Sequence, residues 1–162
     1  MTENTSRIEQ RIAELGYQLP QAPDPVAAYV PAVTAENFVY TSGQLPFVDG
    51  SLEHTGKVSR TGKTGTVDPQ TAQQQAAICA LNALAAAKQV IGDLDRVTKI
   101  VKVVGFVSSE TDFTEQPAVI NGASELLGEI FGDAGVHARS AVGVPVLPMD
   151  SPVEVELILT YA

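Results

Sequence analysis

Residues 95–107, DRVTKIVKVVGFV, contain the most strongly β-branched run in the chain, and inside the run Lys99 and Lys102 are the only charges. A strand this apolar is buried on both faces of its sheet. That requirement constrains the whole fold, because only two segments are long and periodic enough to be substantial helices. The first runs from Asp68 to Gly92, with Asp68 as N-cap, Pro69 at the first helical position and an apolar stripe of Ala77, Leu81, Leu84 and Ile91. The second runs from about Thr114 to Phe131, with Pro117 in its first turn, Gly132 as the stop and a stripe of Ile120, Ala123, Leu127 and Ile130 or Phe131. Two helices cover one face of a five- or six-stranded sheet and leave the other bare. Residues 38–45 also read as apolar on both sides, so something else must bury the second face. Another copy of the chain is the simplest candidate.

The remaining elements complete the order β-β-α-β-α-β-β. Residues 28–33 and 37–45 read as a local antiparallel pair turning at Ala35-Glu36-Asn37. Ala138–Val144 alternates valines with small residues, and 152–161 is the last strand. A short helix over 6–15 precedes them, with Ile8, Ile12 and Leu15 on one side, Ser6 as cap and Gly16 as stop. Residues 17–28 are proline-rich and read as an extended connector. Gly105 marks a bulge or a close approach. Residues 49–66 read as a surface loop. Within them GKVSRTGKT approaches a phosphate-binding loop, but five residues rather than four separate Gly56 from Gly62 and no helix opens at Lys63-Thr64.

Length and composition predict one domain over 1–162, with 1–16 as a helical extension, since 44% hydrophobic and 18% charged residues is ordinary globular material. A net charge of −9 disfavours nucleic acid as partner. No run approaches the ~18 apolar residues of a membrane span, and the first residues lack a signal peptide's apolar core. A membrane partner is therefore not expected, and the cytoplasm is the expected location. Cys79, the single cysteine, reads as a small buried hydrophobe. No metal cluster, dinucleotide fingerprint or nucleophile elbow appears, so no cofactor is expected.

The feature that points to chemistry is Arg139. Alternation puts it on one strand face with Ala141 and Gly143, which predicts open space beside the guanidinium, filled either by a partner that pairs the charge or by water. Three stretches, YVPAV…NFVYTSGQLP (29–46), DFTEQPAVINGASELL (112–127) and HARSAVGVPVLPMDSPVEVE (137–156), together resemble the RidA/YjgF family of imine deaminases, also labelled L-PSP endoribonucleases. The resemblance spans residues 29–161 and suggests a lengthened branch of that family. It implies an α+β, chorismate-mutase-like fold: a mixed sheet of about six strands, two main helices on one face, and a homotrimer with active sites between subunits.

The resemblance also implies roles. Arg139 would bind the carboxylate of a small 2-imino or 2-enamino acid, and Glu154 would position the attacking water. Tyr29 would close the pocket from the adjacent subunit; Ser42 and Gly43 would line the cleft; Asn121 would face it from the second helix. Each has a plainer reading beside it: a structural salt bridge for Arg139, a half-buried strand aromatic for Tyr29, a helix-surface amide for Asn121. Glu156 shares a face with Glu154, and register against Arg139 favours Glu154. His137 reads as a loop residue and His54 has no assigned part. The family's cysteine two positions beyond the arginine is replaced by Ala141. The implied function is cofactor-independent hydrolysis of small imino acids to 2-keto acids and ammonia. A non-enzymatic carboxylate-binding trimer is the alternative, and a ribonuclease or translation inhibitor a more distant one.

Overall fold

The computed structural model describes residues 6–22, 24 and 28–162. Part of the expected connector, at 23 and 25–27, lies outside the described residues.

Helix α1 (Arg7–Glu14) is capped twice at its N-terminus. The Ser6 hydroxyl accepts from the Glu9 N–H, and the Asp95 carboxylate accepts from the Arg7 and Ile8 N–H groups and the Ser6 hydroxyl. Burial opposes the Asp95 charge, but these donors hold its carboxyl below the usual value. Ile8 and Ile12 face inward and join the main core, so the extension is docked rather than trailing.

Strands β1 (Ala32–Ala35) and β2 (Phe38–Thr41) form the expected hairpin, turning at Glu36-Asn37 with Glu36 at φ 53°. Both are shorter than the sequence suggests, and Tyr29 precedes β1 instead of lying in it. A second hairpin follows, β3 (Phe47–Val48) and β4 (Ser51–Leu52), around Asp49-Gly50. Both turn residues have positive φ, the geometry that two-residue hairpins favour. The expected surface loop therefore begins with a hairpin. Its later part is anchored too: Val58 is fully buried, donates its N–H to the Ser108 carbonyl and accepts from the Glu110 N–H.

Helix α2 (Pro69–Ile91) starts at the predicted cap, where Asp68 accepts from the Thr71 N–H, and ends at Gly92 with φ 85°. Strand β5 (Val97–Ser108), helix α3 (Gln116–Phe131) and strand β6 (Ala138–Val144) form a crossover unit, with β5 and β6 parallel. Strand β7 (Val153–Tyr161) inserts antiparallel between β2 and β5. The main sheet has five strands in the order β1-β2-β7-β5-β6, with β3 and β4 apart. The expectation of about six strands in one sheet is corrected accordingly, because the 47–52 hairpin makes its own two-stranded ladder.

Both long helices lie on one face. Val153, Val155, Leu157 and Leu159 of β7 point under them and are essentially inaccessible. Cys79 of α2 is buried there, its sulfur 3.9 Å from the Val153 carbonyl, and burial pushes its thiol well up. Gly105 is a close approach: a Cβ there would collide with the Ile120 side chain of α3. Among the described residues the opposite face carries no helix, and Tyr40, Val33 and Val142 are exposed on this chain.

Candidate functional site

The strand carrying Arg139 runs beside β5, with Val103 opposite Arg139, Gly105 opposite Ala141 and Val107 opposite Gly143. Val103 and Val107 are fully buried beneath the helices, so Arg139 lies on the helix-covered side, at the sheet edge. The space expected beside Ala141 and Gly143 is not open. The first turns of α3 fill it: Gln116 lies where a Cβ of Gly143 would point, and Ile120 where one of Gly105 would. Small residues on this strand make room for a helix.

The guanidinium reaches that helix. Its Nη1 donates to Asn121 Oδ1 at 2.7 Å and to Ser124 Oγ at 3.2 Å. Both partners are neutral, and none of the ion pairs among the described residues includes Arg139. A structural salt bridge is therefore not what holds it. All its protein bonds among the described residues come from Nη1, which leaves Nε and Nη2 as donors. Those two N–H groups form one edge of the guanidinium and match the two oxygens of a carboxylate.

Glu154 lies elsewhere. It pairs with Phe106 between the buried Val153 and Val155, and alternation turns it to the uncovered face. Its carboxylate rests against Gly43, where a Cβ would overlap Oε1. The 42–45 segment is held there because Gln44 and Val155 exchange both backbone hydrogen bonds. No protein donor among the described residues satisfies the Glu154 carboxylate. Burial first, and the Glu156 charge second, raise its pKa. Arg139 and Glu154 thus occupy opposite faces of one sheet. The expected register of Glu154 against Arg139 does not hold within this chain.

Ser42 does not present a free hydroxyl. Its Oγ donates to the Val30 carbonyl at 2.7 Å and its N–H to the Pro31 carbonyl at 2.8 Å, fastening the segment that carries Tyr29. Tyr29 itself is 63% exposed, so the half-buried strand reading is corrected. Asn121, read from the sequence as facing the site or as a helix-surface amide, accepts from Arg139 Nη1. Ser124, one turn along α3, was not singled out in the sequence, though its i+3 spacing from Asn121 puts both on one helix face. His137 lies against the same group, with Nε2 2.9 Å from Ser124 Oγ. No cluster of three or more His, Cys, Asp or Glu side chains among the described residues could hold a metal ion. No helix among them is long and apolar enough to cross a membrane.

Two hollows, about 460 and 180 Å³, lie away from both groups. One is lined by Glu9, Lys88 and connector residues, the other by Tyr17, Gly122 and Glu129. Both are open grooves, and neither is lined by Arg139 or Glu154.

A known family matches residues 9–161, nearly the whole chain, under the description "YjgF/chorismate_mutase-like, putative endoribonuclease". The chain belongs to this YjgF/chorismate mutase-like family. It is 40% identical over 156 residues to Protein TCP17 of Trypanosoma cruzi, covering 96% of this chain and 94% of that one. It is 31% identical over 140 residues to a 2-iminobutanoate/2-iminopropanoate deaminase of Dermatophagoides farinae, covering 86% and 91%. Among solved structures, Atu1372 of Agrobacterium tumefaciens superposes with a TM-score of 0.87 at 42% identity, covering 96% and 92%.

Proposed function

We propose that this chain is a cofactor-independent deaminase that hydrolyses small 2-imino acids to 2-keto acids and ammonia. The observation that carries this reading is the half-tethered guanidinium of Arg139, fixed through Nη1 by neutral groups and left with a carboxylate-shaped edge. The deaminase among its relatives supports the substrate class.

The chemistry needs few groups. Water adds to the carbon of the C=N bond, the nitrogen takes a proton, and the resulting carbinolamine collapses to a ketone while ammonia leaves. A carboxylate with a raised pKa suits both removing a proton from water and returning one to nitrogen. Glu154 is such a group. Arg139 would hold the substrate carboxylate, with Asn121 fixing the guanidinium and Gly43 leaving room beside Glu154.

Arg139 and Glu154 on opposite sheet faces cannot meet around one small molecule within a chain. The proposal therefore includes assembly into a homotrimer. The Arg139 edge of one copy would meet the Glu154 face of the next, and the exposed Tyr29 would close the cleft. The uncovered sheet face, with Tyr40, Val33 and Val142 exposed, supports burial against other copies. Each copy is read as one domain over 1–162, because Ile8 and Ile12 of the extension share its core.

The test generates the imine of a small amino acid with an oxidase and follows its decay with added protein. Decay should accelerate with the wild type and not with Arg139→Ala. Unchanged decay with the wild type overturns the reading. Binding of 2-oxobutanoate without turnover leaves a carboxylate-binding protein instead.

A further inference from the structure

We infer that Ser124 and His137 form a hydrogen-bonded relay that positions Arg139 for an anionic ligand, which rests on the reading of Arg139 as a carboxylate anchor. The donors and acceptors run in one direction only. His137 Nδ1 lies 2.6 Å from the Gly135 carbonyl, which can only accept, so Nδ1 carries the proton. In the neutral ring Nε2 is then an acceptor, 2.9 Å from Ser124 Oγ. The Ser124 hydroxyl donates to it and keeps its lone pairs for Arg139 Nη1 at 3.2 Å. The chain is Arg139 to Ser124 to His137 to the Gly135 carbonyl, and each link joins one donor to one acceptor.

The consequence is geometric. Asn121 alone would leave the guanidinium free to swing about its single 2.7 Å contact. A second acceptor on the same Nη1 fixes the plane, and with it the direction of the Nε and Nη2 donors. Two contacts from residues three apart on α3 tie that plane to a rigid element. His137 orients the hydroxyl. It lies two residues beyond a 3₁₀ turn, Gly132–Gly135, and just before β6, so a short link ties it to the strand it serves. Both are positioning residues, since neither offers an atom that the relay leaves free for the substrate.

Two measurements test this. In the ligand-free wild type at about pH 8.5, long-range proton–nitrogen spectra should show His137 as the Nδ1–H tautomer. Its bare Nε2 resonance should shift on Ser124→Ala. The Nε2–H tautomer, or an unmoved resonance, overturns the relay whatever the protein's activity. Second, Ser124→Ala and His137→Leu should each weaken 2-oxobutanoate binding and raise KM about three- to tenfold, with kcat changed less than about twofold. The double variant should be no worse than Ser124→Ala, because one chain is broken once. His137→Gln, whose Oε1 can stand in for Nε2, should restore affinity. Wild-type-like affinity in Ser124→Ala, or additive losses, contradicts the proposal. A wild type that neither binds nor turns over would sink the deaminase reading instead, and the spectra would then decide the relay alone.

Discussion

The Arg139 group and the Glu154 group are built in opposite ways. Arg139 sits under a helix at a sheet edge, with Nη1 bonded to α3 before any ligand arrives. Glu154 sits on the bare face against a glycine, with no protein donor among the described residues and its pKa raised. The contrast suits a division of labour. A binding group gains from being fixed in advance, since ordering it on binding would weaken affinity. A group that gives and takes protons gains from a poorly solvated carboxyl whose two forms are close in energy.

The largest effect should come from Arg139. Replacing it by Ala should lower kcat/KM by about a thousandfold or more, and Arg139→Lys should rescue little, because a point charge cannot reproduce two parallel donors. Steady-state kinetics on the oxidase-generated imine reads both. Substantial rescue by Lys would remove the bidentate edge from the account.

Glu154→Gln should cut kcat by about a hundredfold or more while leaving 2-oxobutanoate affinity within a few fold. The same variant sharpens the electrostatic contrast through stability. The folded carboxyl titrates above its ordinary 4.5, so its contribution is fully present below 4.5 and is lost as pH rises through the higher folded value. Thermal melts of variant and wild type should coincide near about pH 4, and the variant should melt higher at neutral pH. A variant that melts lower at neutral pH would mean the ionised carboxylate is welcome where it sits.

Gly105→Ala probes the packing under both groups. Its Cβ would collide with Ile120, which should cost about 1–3 kcal/mol in urea unfolding. The smallest effect is expected at Asp95→Ala, where loss of the α1 cap should cost about 1 kcal/mol while catalysis stays intact. A large activity loss there would tie the N-terminal helix to the site.

How much of this was legible in the sequence follows the range of the interactions. Helix ends came from local chemistry: Asp68, Gly92 and Gly132 stand where their caps and stops were expected. The bare sheet face followed from counting helices against apolar strands. Arg139 could be singled out from its neighbours Ala141 and Gly143. What fills the space beside them could not, since Gln116 and Ile120 arrive from a crossover helix whose register no strand pattern encodes. Ser42 looked available for a ligand, and only the fold shows its hydroxyl tied to Val30. The face of Glu154 relative to Arg139 depended on β7 inserting between β2 and β5, a pairing set by tertiary packing.

The two groups should meet only between copies. Subunit mixing tests that most directly: inactive Arg139→Ala and inactive Glu154→Gln proteins are unfolded together in equal amounts, refolded and assayed. Random assembly should regain up to about a quarter of wild-type activity, because that share of interfaces pairs an intact arginine with an intact glutamate. A mixture as dead as its parents, with mixed oligomers shown to have formed, would mean that both residues act within one chain.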